Sequence, residues 1–385
     1  MPVLRNALPP RGRRESGSLS LSTDIEAGSA APPRGTGERV LVIAPSWVGD
    51  AILSEPLIAS LRTAADGAAS IDVVAPPWCG PVYARMQGVD RILGAPAAHG
   101  EFALRERRRL GVTLRATRYA RAYVLPNTWK SALVPWFARI PVRIGYRGEA
   151  RHGLLTEARR LDRHAMPQLV TRYAALGKPD RTPAGQPQAP VLIPDQSNLA
   201  AALQALELDR AKPVAILCPG AEYGPAKRWP AEHFADLARR LAADGHSIWI
   251  LGSPNDAPVA AALVEALRTS ALPVRDLTGR TDLGTAIDLM SVASIVVSND
   301  SGLMHAAAAV RAPLVALFGS SSPIYTPPLS DNARIARIDI VCSPCFAREC
   351  PLGHFRCMRD LAPELVYNLA RATSTSDPAP HPPSR

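Results

Sequence analysis

The 385-residue sequence predicts an α/β protein built from two doubly wound, parallel-stranded halves. Two observations carry this. Short apolar runs suited to buried strands alternate with longer stretches of helical spacing, the pattern of βαβ units. The alternation also stops once, in a proline-rich stretch, and then restarts, so each part is the size of a doubly wound domain.

The elements follow in order. Residues 1–37 are rich in Pro, Gly, Ser and Arg without periodicity and read as a disordered tail. The first domain is expected over 38–180. It opens on the strand candidate "RVLVIA" (39–44), continues with a helical stretch "DAILSEPLIASLRTA" (50–64), and adds strands "SIDVVA" (70–75) and "RAYVLP" (121–126). The segment "KPDRTPAGQPQAP" breaks the rhythm, so 181–212 reads as a linker. The second domain is expected over 213–358. Its strands are "PVAILCPG" (213–220), "SIWILG" (247–252), "SIVVSND" (294–300) and "PLVALFG" (313–319), with a helix at 230–245. A helix over 359–371 and a disordered tail over 372–385 close the chain. Two such domains face each other across a cleft, and ligands favour the carboxyl ends of the strands there.

Composition excludes several classes. A chain that is 47% hydrophobic and 20% charged is ordinary for a globular protein. No run approaches the ~18 consecutive apolar residues of a membrane span, and the arginine-bearing N-terminus has no apolar core of a secretory signal. Six cysteines in so long a chain do not form a secreted disulfide framework; the expected location is the cytoplasm. The formal charge of +10 is uneven: residues 101–172 hold 16 Lys/Arg and 5 Asp/Glu, an excess of +11. Such an excess calls for an acidic partner, whether nucleic acid, anionic lipid or an acidic sugar, unless it is only a solvated face. Interleaved aromatics and a recognisable nucleic-acid motif are both lacking, so no nucleic-acid partner is expected.

Three segments carry chemistry. In "VVSNDSGLMHAAAA" a strand ends in small and polar residues where a helix begins. The open N–H groups of a helix N-terminus attract anions. Gly302 admits a ligand to the backbone, Ser301 has a hydroxyl to donate to a phosphate, and His305 lies one turn in. Asp300 fits a helix cap or an acceptor for a hydroxyl; a plain N-cap would explain the motif equally well. In "CPGAEYGPAKRWP" (218–230), Gly220, Gly224 and Lys227 suit an anion site, with lysine as a point charge; the alternative is a solvated surface loop. In "APSWVGDAILSEP" (44–56), Asp50 sits where the first strand turns into the first helix, either as a cap or as a base able to take a proton from an attacking hydroxyl.

Together these segments resemble the lipopolysaccharide heptosyltransferases of glycosyltransferase family 9. "PSWVGDAILSEPL", "CPGAEYGPAKRWP" and "SNDSGLMHAAAA" match the family pattern, and "YVLPNTWKSALVPWFARIPVRIGYRGEARHGLL" is the stretch most specific to its second heptosyltransferase. The resemblance spans roughly 38–370. It implies a GT-B fold, two Rossmann-like domains with the active site between them. It implies inverting transfer of L-glycero-D-manno-heptose from ADP-heptose to the first heptose of a Kdo2-lipid A inner core. Under that resemblance Asp50 is the catalytic base. Lys227, Asp300, Ser301, Gly302, His305, Gly220, Glu222 and Tyr223 bind the nucleotide sugar. Lys130, Arg143, Arg147 and Arg151 are candidates for the acceptor's carboxylates and phosphates. No cofactor and no essential divalent metal are expected, because Lys227 and a helix N-terminus can meet the leaving group's charge. The partners implied are ADP-heptose, heptosyl-Kdo2-lipid A and the cytoplasmic face of the inner membrane, held peripherally.

"CSPCFARECPLGHFRC" lies outside that chemistry. Cys342, Cys345, Cys350 and Cys357, with His354 among them, read as free thiols in a local loop or as a possible structural metal site. Two other functional classes fit the architecture: a nucleotide-sugar epimerase, which leaves the +11 segment without a purpose, and a non-catalytic nucleotide sensor, which leaves Asp50 without one. Transfer of another sugar, or to another acceptor, stays open on the same scaffold.

Overall fold

A computed structural model describes residues 37–63, 70–96, 102–178, 188–270 and 272–374, all within one compact unit. All but the last residue of the expected tail over 1–37, and most of that over 372–385, lie outside the described residues. Two six-stranded parallel sheets form the frame. The first contains β1 (Arg39–Ile43), β2 (Ser70–Ala75), β3 (Arg91–Gly94), β4 (Arg121–Val124), β5 (Val142–Tyr146) and β6 (Glu157–Arg159), in the order β3-β2-β1-β4-β5-β6. The second contains β7 (Val214–Cys218), β8 (Ser247–Ile250), β9 (Val274–Asp276), β10 (Ile295–Asn299), β11 (Leu314–Leu317) and β12 (Ala333–Ala336), in the order β12-β11-β10-β7-β8-β9. Numbered within its own half, each sheet reads 3-2-1-4-5-6. The direction of winding therefore reverses beside β1 in one sheet and beside β7 in the other, which opens a crevice at the carboxyl ends of those strands.

The central strands are apolar on both faces because helices cover both: β7 and β10 are buried along their whole length. Strands β3, β5, β6, β9 and β12 were not anticipated. β3, β6, β9 and β12 are short and part-exposed, and "EAR" and "VRD" carry charges, so period and hydrophobicity do not reveal them. β5 is buried over Ile144–Tyr146, but Arg143 and Gly145 interrupt its apolar run. The expected helix over 50–64 is two helices, Val48–Leu53 and Glu55–Thr63. Pro56 has no N–H to give Ile52, so the chain tightens at Ser54, whose N–H bonds Ala51 O at 3.1 Å. The expected linker also contains a helix, Gln196–Ala205, capped by Asp195, whose carboxylate accepts from Ser197 and Asn198 N–H. The closing helix runs Pro363–Ser374, a few residues later than expected.

The stretch 190–198 stitches the halves together. Val191 N–H reaches the buried Glu55 carboxylate, Leu192 N–H reaches Ala309 O at 3.1 Å, and Ile193 N–H reaches Arg85 O at 2.8 Å. Asp288, fully buried on the helix Leu283–Met290, collects the rest. It accepts from Arg85 Nε at 2.7 Å and from Arg85 Nη2, from Asp195 N–H at 2.9 Å and from Asn198 Nδ2 at 2.7 Å. Removing one partner of a buried pair leaves an uncompensated charge, at a cost of roughly 3–5 kcal/mol. Arg85→Ala should therefore lower stability by about that amount, whereas Arg268→Ala, in an exposed pair, should cost under about 1 kcal/mol. Denaturant unfolding of the two variants checks the contrast.

Candidate active site

The two switch points face each other. The helix Val48–Leu53 leaves β1 and the helix Gly302–Ala309 leaves β10, and their first turns abut. The approach is too close for side chains at two positions. A Cβ on Gly302 would stand 2.8 Å from Val48 Cβ, and one on Gly49 would stand 2.8 Å from His305 Cδ2. The glycines in "WVGD" and "NDSG" are thus contact points between the halves.

Asp50 is the third residue of its helix. The cap position is Trp47, so Asp50 does not cap. Among the described residues its carboxylate has no hydrogen-bond or ion-pair partner. It keeps some access to solvent yet lies deep between the halves. Burial pushes its carboxyl up to about 6, while the positive charge of Lys227 pulls the other way. Beside it, burial and the Asp50 charge push the Cys79 thiol up to about 12, which keeps that thiol protonated.

Lys227 stands across from Asp50 in the short 3-10 turn Pro225–Lys227. Its Nζ lies 2.5 Å from Asp300 Oδ2 and 5.1 Å from the centre of the Tyr223 ring. Asp300 also accepts from the Ser321 hydroxyl. Of the two roles open to Asp300, the structure shows the acceptor: Ser301 occupies the cap position of the helix. His305 is buried, and burial pushes its imidazole down to about 4, so it is neutral near pH 7. Gly220 follows β7, and a Cβ there would meet the Asp256 carboxylate at 2.2–2.5 Å. Glu222 is exposed, with Asn255 Nδ2 at 3.5 Å.

Several contributors went unread in the sequence. Asn299 joins two loops, accepting from Trp229 N–H at 3.1 Å and donating to Pro219 O at 2.8 Å. Ser321 fixes Asp300. The cysteine-rich segment turns out to brace the Lys227 loop: Tyr223 OH donates to Phe346 O at 2.7 Å, Ala226 N–H to Arg348 O at 3.0 Å, and the Arg348 guanidinium lies 5.2 Å from the Tyr223 ring centre. Gly224, at φ +156°, passes so near that a Cβ would sit 2.4 Å from Arg348 O. Cys342, Cys345, Cys350 and Cys357 are free thiols. Cys342 Sγ is 4.0 Å from His354 Nε2, and among the described residues no three His, Cys, Asp or Glu side chains converge as a metal site.

The four basic residues expected at the acceptor divide. Arg151 is buried; it donates to Tyr146 O, to Pro126 O at 2.7 Å and to Asn127 Oδ1 at 3.1 Å, and so braces the loop after β4 instead of facing a ligand. Arg143 turns inward to Leu154 O at 2.6 Å and to Ile140 O. Arg147 is exposed and Lys130 part-exposed.

A family model described as glycosyltransferase family 9 (heptosyltransferase) matches residues 107–356. Lipopolysaccharide heptosyltransferase 2 of Escherichia coli (strain K12) is 43% identical over 342 residues, covering 87% of this chain and 98% of its own. Lipooligosaccharide heptosyltransferase 2 of Haemophilus influenzae is 44% identical over 312 residues, covering 78% and 88%. A solved structure of E. coli ADP-heptose lipopolysaccharide heptosyltransferase II superposes with a TM-score of 0.78 at 40% identity, covering 87% of this chain and 98% of that one.

The abutting helices make a prediction of their own. Gly302→Ala forces a Cβ against a backbone-anchored atom, and overpacking of this kind costs roughly 1–3 kcal/mol. Gly49→Ala presses on a ring that can rotate, so it should cost less. Thermal unfolding of the two variants orders them; equal stability with wild type would mean that the halves are not held in this contact.

Proposed function

Since the chain belongs to glycosyltransferase family 9, the heptosyltransferases, with the two-sheet GT-B architecture of that family, it is a glycosyltransferase, and we propose that it moves L-glycero-D-manno-heptose from ADP-heptose to the first heptose of a Kdo2-lipid A inner core, with inversion, at the cytoplasmic face of the inner membrane. The observation that carries the chemistry is the unpartnered Asp50 carboxylate on one half, set against Lys227 on the other. A sugar hydroxyl is too weak an acid to attack unaided. Asp50 takes its proton as the oxygen bonds to the anomeric carbon, and ADP departs with the electrons of the broken bond. The new negative charge falls on the diphosphate, where Lys227 and the N–H groups opening the helix Gly302–Ala309 meet it. Asp300 and Ser321 hold the ammonium in place, and Ser301 and neutral His305 line the same turn. The donor belongs to the second half, with Gly220, Glu222 and Tyr223 beside Lys227. The acceptor belongs to the first, with the exposed Arg147 and the part-exposed Lys130 as its cations.

Asp50→Asn tests the base. The amide keeps the size and cannot take the proton, so kcat should fall by about two to four decades while donor affinity survives. In the wild type the acting form is the carboxylate. Below a pKa of about 6 it is protonated, so kcat/KM should drop roughly tenfold per pH unit there and level off above. A rate within a few-fold of wild type in a folded Asp50→Asn variant would remove Asp50 from the mechanism.

The two cation sites should separate by ligand. Lys227→Ala loses one charge-assisted contact, roughly 1.5–3 kcal/mol, or about one to two decades of ADP-heptose affinity. Arg147→Ala should raise the acceptor KM and leave donor binding unchanged. Calorimetric titration of the donor beside acceptor kinetics distinguishes them; a shared loss of donor binding would place Arg147 on the wrong ligand.

A further inference from the structure

The helix Leu104–Leu114 and the turn and helix Trp129–Phe137 pack side by side on the sheet face turned away from the second half. Gly111 lies directly against the second of these: a Cβ there would meet Phe137 Cβ at 2.5 Å and Val134 O at 2.7 Å. Arg107 Nη1 donates to Lys130 O at 3.4 Å and Arg115 Nε to Phe137 O at 2.8 Å, which fixes the two segments as one layer. With Leu110, Gly111 and Leu114 turned inward, Leu104, Arg105, Arg108, Arg109 and Val112 are left exposed on the rest of the first helix. Phe102, Trp129 and Trp136 extend it. Phe102 and Trp129 lie with ring centres 5.0 Å apart, and these three aromatics and Leu104 are each 38–43% exposed. Among the described residues none of Arg105, Arg108 and Arg109 has an ion pair. Large apolar side chains clustered in water among arginines suit a partner that is both apolar and anionic.

We propose that this face is a docking surface for an anionic lipid bilayer, with Trp136, Trp129, Phe102 and Leu104 entering the headgroup boundary and Arg105, Arg108 and Arg109 pairing with lipid phosphates. The inference deepens the preceding reading and rests on its lipid-borne acceptor. We commit to lipid over nucleic acid because aliphatic Leu104 and Val112, which offer bases nothing to stack on, stand among the arginines, and because the acceptor of the proposed reaction is lipid-borne. The rings of Phe102, Trp129 and Trp136 suit either partner, and RNA competition separates the two. Its position fits as well. β1 and β4 run parallel with Ile43 opposite Val124, so the segment leading to Asp50 and the segment leading to Trp129 emerge at the same edge of the sheet. A bilayer held at Trp129 therefore lies beside the edge where the acceptor hydroxyl must arrive.

Sedimentation of the full chain with vesicles of phosphatidylcholine, with and without phosphatidylglycerol, tests the surface. Binding should require the anionic lipid and weaken with salt. Each arginine near an anionic surface contributes on the order of fivefold, so Arg105→Gln/Arg108→Gln/Arg109→Gln should lose about a hundredfold in partitioning. Trp136→Ser should lose about tenfold, and the control Arg268→Gln/Arg275→Gln on the second half should lose little. Thermal unfolding establishes that the variants are folded, and Trp136→Ser stands as an independent probe should the triple variant fail that check. Wild-type protein that ignores anionic vesicles, folded variants that bind as wild type does, or RNA that displaces the vesicles would each overturn the proposal. Transfer to detergent-solubilised acceptor separates the two readings. It should persist in the triple variant, whereas wild-type protein that binds vesicles but transfers no heptose would sink the function and leave the surface standing.

Discussion

The site exists only where the two halves meet, and their meeting depends on one buried carboxylate. Asp288 has no exposure to solvent and gathers an arginine from the first half, a backbone amide and a side-chain amide from the connecting stretch. A charge buried this way is tolerable only with every partner in place. Any shift of Arg85 relative to the helix Leu283–Met290 strands the carboxylate, which makes the arrangement of the halves close to all-or-none. The connecting stretch is pinned by its own amides to Glu55, Arg85 and Ala309. It behaves as a clamp across the junction and not as a tether.

Small residues become intelligible against that clamp. With the halves fixed, the first turns of the helices Val48–Leu53 and Gly302–Ala309 meet with no room for Cβ atoms at Gly49 or Gly302. That close approach carries Asp50 to the Lys227 charge. The lysine in turn depends on a segment remote in sequence. Phe346 and Arg348 hold Tyr223, Gly224 and Ala226, and Phe346 N–H is tied to Ser320 O at 2.7 Å, next to the serine that fixes Asp300. The cysteine-rich loop so reaches the Lys227 loop through backbone and aromatic contacts.

How much of this was legible in the sequence follows from physical range. The buried strands declared themselves because unbroken apolar runs such as "VAILC" have one comfortable environment. The loops after β1, β7 and β10 stood out because Gly, Ser and Asp collect where an apolar run stops and the chain turns into a helix. The edge strands gave no signal, since their pairing is set by neighbours and not by their own residues. The helix Gln196–Ala205 was hidden behind a proline-rich stretch despite the Asp195 cap at its start. Lys227 and Asp300 were both named as ligand contacts, but their ion pair spans 73 positions and has no local signature. Arg151 misled for a related reason: in sequence a buried brace and an exposed ligand contact are the same letter, and only the carbonyls around it tell them apart.

Asp50 shows what the junction achieves electrostatically. Burial raises its carboxyl and thereby strengthens it as a base; Lys227 opposes this. The opposition is useful. The lysine favours the ionised form of Asp50 and partly restrains its basicity. On the proposed chemistry, a bound diphosphate sets its negative charge against that of Lys227, and the restraint on Asp50 is released. The carboxylate then becomes a stronger base at the moment an acceptor hydroxyl must lose its proton, a change that would appear as an acid limb of kcat displaced upward from that of kcat/KM. Coincident limbs would mean that the donor's charge does not reach Asp50. The two charges have to lie on different halves for this to work, because one half must hold the donor and the other the acceptor, and the clamp at Asp288 keeps them within electrostatic reach.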